Sequence, residues 1–224
     1  QCHSIGMHRQ RELITAALKK VFGKKLQAVY DKSADTLPPK YAENQANGYL
    51  WSATDSPAGM TIVEENGVKF KVDWVTGQKT GFFLDQRDNR SRVEKLSKDK
   101  SVLNVFAYTG GFSVYAARGG AKEVVSVDVS APALEGAVRN MAYNKLTVPH
   151  ETIAEDAFEV LARMASQKRL FDVVIIDPPM FAQSEKQIEG ALSAYRKLTR
   201  LGLSVLRKGG TLVQASCSSR VESD

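Results

Sequence analysis

The sequence predicts an α/β fold, a Rossmann-like sheet preceded by a small, partial α+β element. Three observations predict it. Strand-length apolar runs alternate five times with helix-length segments between Ser101 and Ser216. The strands are near-continuous runs such as Val-Leu-Asn-Val-Phe and Asp-Val-Val-Ile-Ile, as expected for parallel strands covered on both faces. Polar residues stand just past the strands (Tyr108, Thr109, Asp128, Asp156, Asp177 and Cys217), where open α/β sheets bind ligands.

Residues 7–22 place Met7, Leu13, Ile14, Ala17, Leu18, Val21 and Phe22 at helical spacing. Residues 24–31 read as a strand, and 32–48 have loop composition, with Asp35, Pro38, Pro39, Asn44, Asn47 and Gly48. Residues 60–64 and 68–74 flank Asn66-Gly67, the signature of a type I′ hairpin. Residues 1–78 therefore form a first domain with too few strands for a full core. The second domain, residues 79–224, opens with a loop and a helix over 86–98. A strand at 102–106 meets Gly110-Gly111 and a helix containing Phe112, Val114, Tyr115 and Ala116. Strands are expected at 123–128, 152–154, 171–177 and 211–216. Helices are expected at 131–144, with Pro132 in its first turn, at 158–166, and at 184–206, the last stopped by Lys208-Gly-Gly.

Two distant cysteines, Cys2 and Cys217, make neither a disulfide framework nor a zinc spacing. They suit free thiols in a reducing, cytoplasmic setting. His3, His8 and His150 do not cluster, so no metal site is expected. No apolar run approaches a membrane span, and the first residues lack a signal-peptide core. The net charge of +6 permits a nucleic-acid partner without requiring one. The chain opens on Gln1 rather than Met, which suggests a fragment or a processed product.

The segment from Asn104 to Ser113 links the first parallel strand to its helix. Gly110 and Gly111 lack a Cβ, so backbone there can pass close to a ligand, or simply turn tightly. It is not Gly-x-Gly-x-x-Gly and has no Walker lysine, which argues against a dinucleotide oxidoreductase and an ATPase. Asp128, ending the second strand, can accept hydrogen bonds from ribose hydroxyls, or cap the helix that follows. Asp156 can meet an adenine amine, or equally serve as a cap. Two acids with a glycine turn and no phosphate cradle point to S-adenosylmethionine.

Four segments together carry a family resemblance: Lys79-Thr-Gly-Phe-Phe-Leu-Asp-Gln-Arg-Asp-Asn-Arg90, residues 104–113, Asp177-Pro-Pro-Met-Phe181 and Ser216-Cys-Ser218. They resemble the S-adenosylmethionine-dependent 23S ribosomal RNA (cytosine-5) methyltransferases of the RlmI-like family. The resemblance implies a class I methyltransferase sheet behind a central α+β domain. It also implies an RNA-binding PUA domain and a final helix and two strands, all missing here. By resemblance, Phe106, Tyr108, Thr109, Gly110, Gly111, Asp128, Asp156 and Asp177 line the cofactor site, and Lys79, Asp85, Gln86 and Arg87 belong to a loop closing over it. Lys79 and Arg87 read equally well as solvated cations. Arg90 and Arg92 reach RNA phosphate or line an exposed helix face. Phe181 stacks on a flipped base or packs under its loop.

Carbon 5 of cytosine is a poor nucleophile until a thiolate adds to carbon 6. Cys217 is the candidate sulfur; its alternative is a buried core cysteine. Asp177 would stabilise charge developing on the base, or simply turn the strand end before Pro178. Many RNA cytosine-5 methyltransferases carry a second cysteine after the Asp-Pro pair. Here Pro179 and Met180 stand instead, so removal of the carbon-5 proton falls to another residue or to water. Two competing readings remain: amine methylation of adenine or guanine in ribosomal RNA, and a non-catalytic RNA-binding module of the same fold. The expected partner is 23S ribosomal RNA; homodimerisation is left open.

Overall fold

The computed structural model describes residues 1–181 and 187–216. The chain divides into two compact units, Gln1–Val63 with Lys71–Leu84, and Glu64–Phe70 with Asp85–Asp224. The sequence placed one boundary at 78/79.

In the first unit, α1 (Ile5–Arg9) and α2 (Arg11–Phe22) replace the single expected helix. Ser4 caps α1 by accepting the Met7 N–H, and Gln10 breaks the helical run. β1 (Ala28–Asp31) pairs antiparallel with β2 (Gly48–Ser52), and α3 (Pro39–Ala42) lies between them in sequence. The expected strand from residue 24 starts late because Gly23–Lys25 forms a 3-10 turn. His8 is buried, with Nε2 3.0 Å from an Asp31 carboxylate oxygen and Nδ1 3.2 Å from the Tyr41 hydroxyl.

β3 (Met60–Glu65) and β4 (Val68–Asp73) form the expected hairpin, with Asn66 and Gly67 at φ 50° and 77°. Two positive φ values are what a type I′ turn demands. The hairpin tip belongs to the second unit, and the reason is a buried network. Glu65 receives a bidentate pair from Arg90 of α4 (Arg87–Leu96), Nε and Nη2 each at 2.8 Å. Tyr115 of α5 (Gly111–Arg118) donates its hydroxyl to the Glu65 carbonyl at 3.1 Å and lies 3.0 Å from Glu65 Oε1. Arg90 is only 3% exposed and paired with Glu65, which corrects both expectations for it, an RNA phosphate contact and an exposed helix face.

The second unit holds β5 (Ser101–Val105), β6 (Glu123–Val127), β7 (His150–Ile153), β8 (Phe171–Ile176) and β9 (Leu206–Gln214). All pair in parallel, in the order β7-β6-β5-β8-β9. The order reverses between β5 and β8, which sets the switch point where such sheets bind ligands. The connecting helices are α5, α6 (Ala131–Tyr143), α7 (Ala157–Ser166) and α8 (Ile188–Ser204). Leu103, Val105, Val125, Val127, Phe171, Val174 and Ile176 bury against Val160, Leu161, Met164 and Leu198.

One expectation is corrected here. Lys208-Gly-Gly does not stop a helix; α8 ends at Ser204 and these residues lie inside β9. Leu206 pairs with Phe171 and Thr211 with Val173, so the residues between loop out of register. A Cβ at Gly210 would sit 2.7 Å from the Asp172 carbonyl, so the close approach requires glycine.

A buried polar chain crosses three strands. Asn104 Nδ2 donates to Ser113 Oγ at 2.8 Å, Ser113 Oγ meets Ser126 Oγ at 2.7 Å, and Ser126 Oγ meets His150 Nε2 at 2.8 Å. Burial lowers the His150 pKa below its ordinary value. The unfolded chain therefore takes up a proton that the folded chain resists. Stability from the neutral imidazole is present above about pH 6.5 and is lost as pH falls below it. Urea unfolding across that range should show His150→Gln less acid-sensitive than the parent; equal slopes would refute the assignment. Arg90→Ala should cost about 3–5 kcal/mol in the same assay, because it strands Glu65 as a buried charge.

Candidate active site

The site is built on the carboxyl ends of β5, β6, β7 and β8. Past β5 the backbone adopts two uncommon conformations, Phe106 at φ 61° and Tyr108 at φ 47°, neither of them glycine. Such residues cost of order 1–3 kcal/mol each and persist only where neighbours enforce them. Here the Ala107 N–H donates to the Val127 carbonyl at 3.0 Å, and the Tyr108 N–H donates to Asp128 Oδ2 at 2.8 Å. Asp128 Oδ1 accepts the Ser130 N–H at 2.9 Å. One carboxylate thus holds the β5–α5 loop and the start of α6 together. A carboxylate has about four acceptor sites, so roughly two remain for a ligand.

Thr109 is anchored through its carbonyl, which accepts Asn140 Nδ2 at 2.9 Å. Internal packing leaves little room for a side chain at Gly110 and Gly111. Gly110 has φ 76°, and a Cβ there would lie 2.6 Å from the Ala137 Cβ. A Cβ at Gly111 would meet Arg90 Cδ at 3.3 Å. The sequence reading missed Val129, whose side chain is 79% exposed directly beside Asp128. An apolar residue following a strand-end acid was the available signal. A sugar diol suits the carboxylate and a purine suits Val129, so this donor set fits an adenosine group.

Asp156 is an exposed N-cap of α7, its Oδ1 accepting the Phe158 and Glu159 N–H groups at 2.9 and 3.2 Å. Capping is the role its bonds show. Asp177 follows β8 at the switch point, its N–H 3.4 Å from the Val105 carbonyl. The next strand runs alongside, with the Ala215 N–H donating to the Ile176 carbonyl at 3.0 Å. Gln86 Nε2 lies 3.4 Å from Asp177 Oδ1, a long contact, while its Oε1 accepts Asn89 Nδ2 at 2.8 Å.

Arg87 is exposed and lies 3.5 Å from the carboxylate of its neighbour Asp88. Asp85 and Arg92 are exposed. Lys79 belongs to the first unit, exposed, with Nζ 4.9 Å from the Phe83 ring centre. Phe181 meets Tyr195 edge-on at 5.1 Å, which matches packing under its loop. Ser216 Oγ donates to the Tyr195 hydroxyl at 3.1 Å. Cys217 lies outside the described residues. Among the described residues, no cluster of His, Cys, Asp or Glu is placed to hold a metal ion, and no helix is long and apolar enough to cross a membrane.

Comparison with known proteins places this arrangement. The sequence model of the S-adenosylmethionine-dependent methyltransferases matches residues 29–224. Ribosomal RNA large subunit methyltransferase I of Pseudoalteromonas translucida (strain TAC 125) is 40% identical over 223 residues, covering 99% of this chain and 55% of the relative. Its counterpart from Aeromonas salmonicida (strain A449) is 42% identical over 223 residues, with coverages of 99% and 55%. The chain therefore spans about half the length of the curated relatives it matches. A crystal structure assigned as a methyltransferase and complexed with SAH superposes with a TM-score of 0.79 at 28% identity, over 95% of this chain and 53% of that one.

The packing account of the loop makes a definite prediction. Gly110→Ala should destabilise the chain by about 1–3 kcal/mol, through overpacking on Ala137 and the positive φ. Adding Ala137→Gly should restore part of that loss in urea denaturation. No recovery would return Gly110 to a ligand-facing role.

Proposed function

The chain belongs to the S-adenosylmethionine-dependent methyltransferase family, and from that premise we propose that it carries the catalytic part of an enzyme that methylates carbon 5 of a cytosine in 23S ribosomal RNA in the cytoplasm. The observation that carries the reading is the clamped Asp128 beside exposed Val129, one strand from the Asp177 switch point. The names of the curated relatives support a ribosomal RNA substrate, and the SAH complex of the structural relative supports the cofactor.

S-adenosylmethionine, when bound, supplies an electrophilic methyl group. Asp128 would accept hydrogen bonds from the ribose hydroxyls with the lone pairs that Tyr108 and Ser130 leave open. Val129 would offer its apolar face to the adenine. Tyr108, Thr109 and the backbone from Phe106 to Gly111 would form the floor, and Asp156 would reach the adenine amine with the carboxylate that caps α7. Gln86 would orient Asp177, with Arg87 and Lys79 carried on the adjoining segment.

Cys217 is the proposed nucleophile. Its thiolate would add to carbon 6 of the cytosine, which turns carbon 5 into an enamine-like nucleophile. Asp177 would hydrogen-bond the ring nitrogen and stabilise the charge that builds there. Carbon 5 would then bond to that methyl group as its bond to the donor's sulfur breaks, leaving S-adenosylhomocysteine. Loss of the carbon-5 proton to water or to another residue would expel the thiolate and reopen the double bond. The target base must leave its stack to reach these groups.

Transfer of labelled methyl from S-adenosylmethionine to 23S ribosomal RNA tests the reading. Cys217→Ala should abolish transfer while calorimetric binding of S-adenosylmethionine persists. Full activity in that variant would instead indicate methylation of an exocyclic amine. Asp128→Ala should weaken cofactor binding by about 10- to 100-fold, the loss expected for hydrogen bonds to a charged acceptor.

A further inference from the structure

The first unit carries a basic, aromatic hollow with no part in the chemistry above. It is an open cavity of about 490 Å³ lined by Lys19, Gly23, Lys24, Leu26, Trp51 and Ala53. Lys19 Nζ stands 4.9 Å above the Trp51 ring. Lys20 and Lys25 adjoin these lining lysines in sequence, so the seven residues from Lys19 to Lys25 hold four lysines and no acid. All four lysines are exposed, and none forms an ion pair among the described residues. Four arginines of the second unit differ: Arg118, Arg139, Arg163 and Arg169 each meet a glutamate within 3.4 Å.

We propose that this hollow binds single-stranded RNA, with a base stacked against Trp51 and flanking phosphates held by Lys19, Lys20, Lys24 and Lys25. Charge selects the occupant. Four unneutralised ammonium groups on one short segment repel one another, and a polyanion relieves that repulsion while releasing its own counterions. The aromatic ring selects the form of the polyanion, because unpaired bases stack on such platforms and duplex bases cannot. The space beside Gly23 is open, since a Cβ there would meet nothing within 4 Å. The proposal rests on the reading of the substrate as RNA and adds to it a docking surface remote in sequence from Asp128 and Asp177.

The test uses the 224-residue chain and a fluorescein-labelled single-stranded RNA of about 12 nucleotides, within the usual site sizes. Anisotropy titrations over a range of salt give affinity and its salt slope. Lys24→Glu combined with Lys25→Glu should weaken binding about tenfold or more and reduce the slope by roughly 1.4, at about 0.7 per phosphate. In a Trp74→Phe background, where Trp51 is the remaining tryptophan, RNA should quench its emission. SAH binding, measured on the same samples, should stay at the parent value and shows that the variants fold.

Unchanged RNA affinity and slope in the charge-reversed chain would overturn the surface. Methyl incorporation continuing normally in that chain would leave the enzyme reading standing. The reverse pattern, normal oligonucleotide binding with no methyl transfer to any RNA, would sink the enzyme reading and keep the surface. A charge reversal that alters sedimentation but not RNA affinity assigns the hollow to a second copy of the chain and equally overturns the proposal.

Discussion

The carboxylate of Asp128 is the constraint on which the site depends. Phe106 and Tyr108 occupy left-handed backbone conformations that side chains disfavour, and a free chain would relax from them. The Tyr108 N–H is held by Asp128, and the Ala107 N–H by the last carbonyl of β6. The loop that ends β5 is thereby fastened to the end of β6 before any ligand arrives. Preorganisation of this kind lowers the ordering cost of binding, since the acceptor and the loop do not have to find each other afterwards. The same acid sets the start of α6 through Ser130. One side chain therefore fixes the position of two elements and keeps acceptor capacity in reserve.

A second network plays the corresponding part for the hairpin tip. Arg90, Glu65 and Tyr115 are buried together, with both guanidinium contacts at 2.8 Å. A buried ion pair adds little net stability, because desolvation offsets most of its attraction. Its geometric demand is strict, since either charge left alone is costly. The pair thus works as a register device, accepting one position of the tip and penalising others. Gly111 carries no Cβ where the Arg90 side chain passes, so the first residue of α5 makes room for the same network.

The parts of this structure legible in the sequence are those set by local chemistry. Asn66-Gly67 fixed the hairpin because few residues besides these accept two positive φ values in succession. The apolar runs located five parallel strands, because a sheet covered on both faces has no polar side to interrupt them. Where the sequence misled, the deciding partner was distant. Gly110 reads as a ligand cradle or a tight turn, and Ala137, on another helix, adds a packing reason the sequence did not show. Lys208-Gly-Gly reads as a helix stop until the Asp172 carbonyl is found against Gly210. Arg90 lies in a basic segment and reads as a phosphate contact or an exposed helix face, and only the fold reveals Glu65. β2 went unread because one alternating run, Tyr49-Leu-Trp, lies next to a loop-rich stretch.

Glycine and charge share one lesson at these positions. Each is ambiguous alone, because a missing Cβ serves a ligand or a neighbouring helix equally well, and a guanidinium serves phosphate or carboxylate. The ambiguity is resolved by what already occupies the space. Gly110 and Arg90 have protein partners at close range, so their properties are consumed within the fold. Val129 is exposed beside an acid whose own partners leave acceptor sites open, so its surface is available to something outside the chain. Functional assignment in this chain therefore follows the groups left unsatisfied after packing. By that criterion the end of β6 is the part of the proposed cofactor site that the fold itself leaves incomplete.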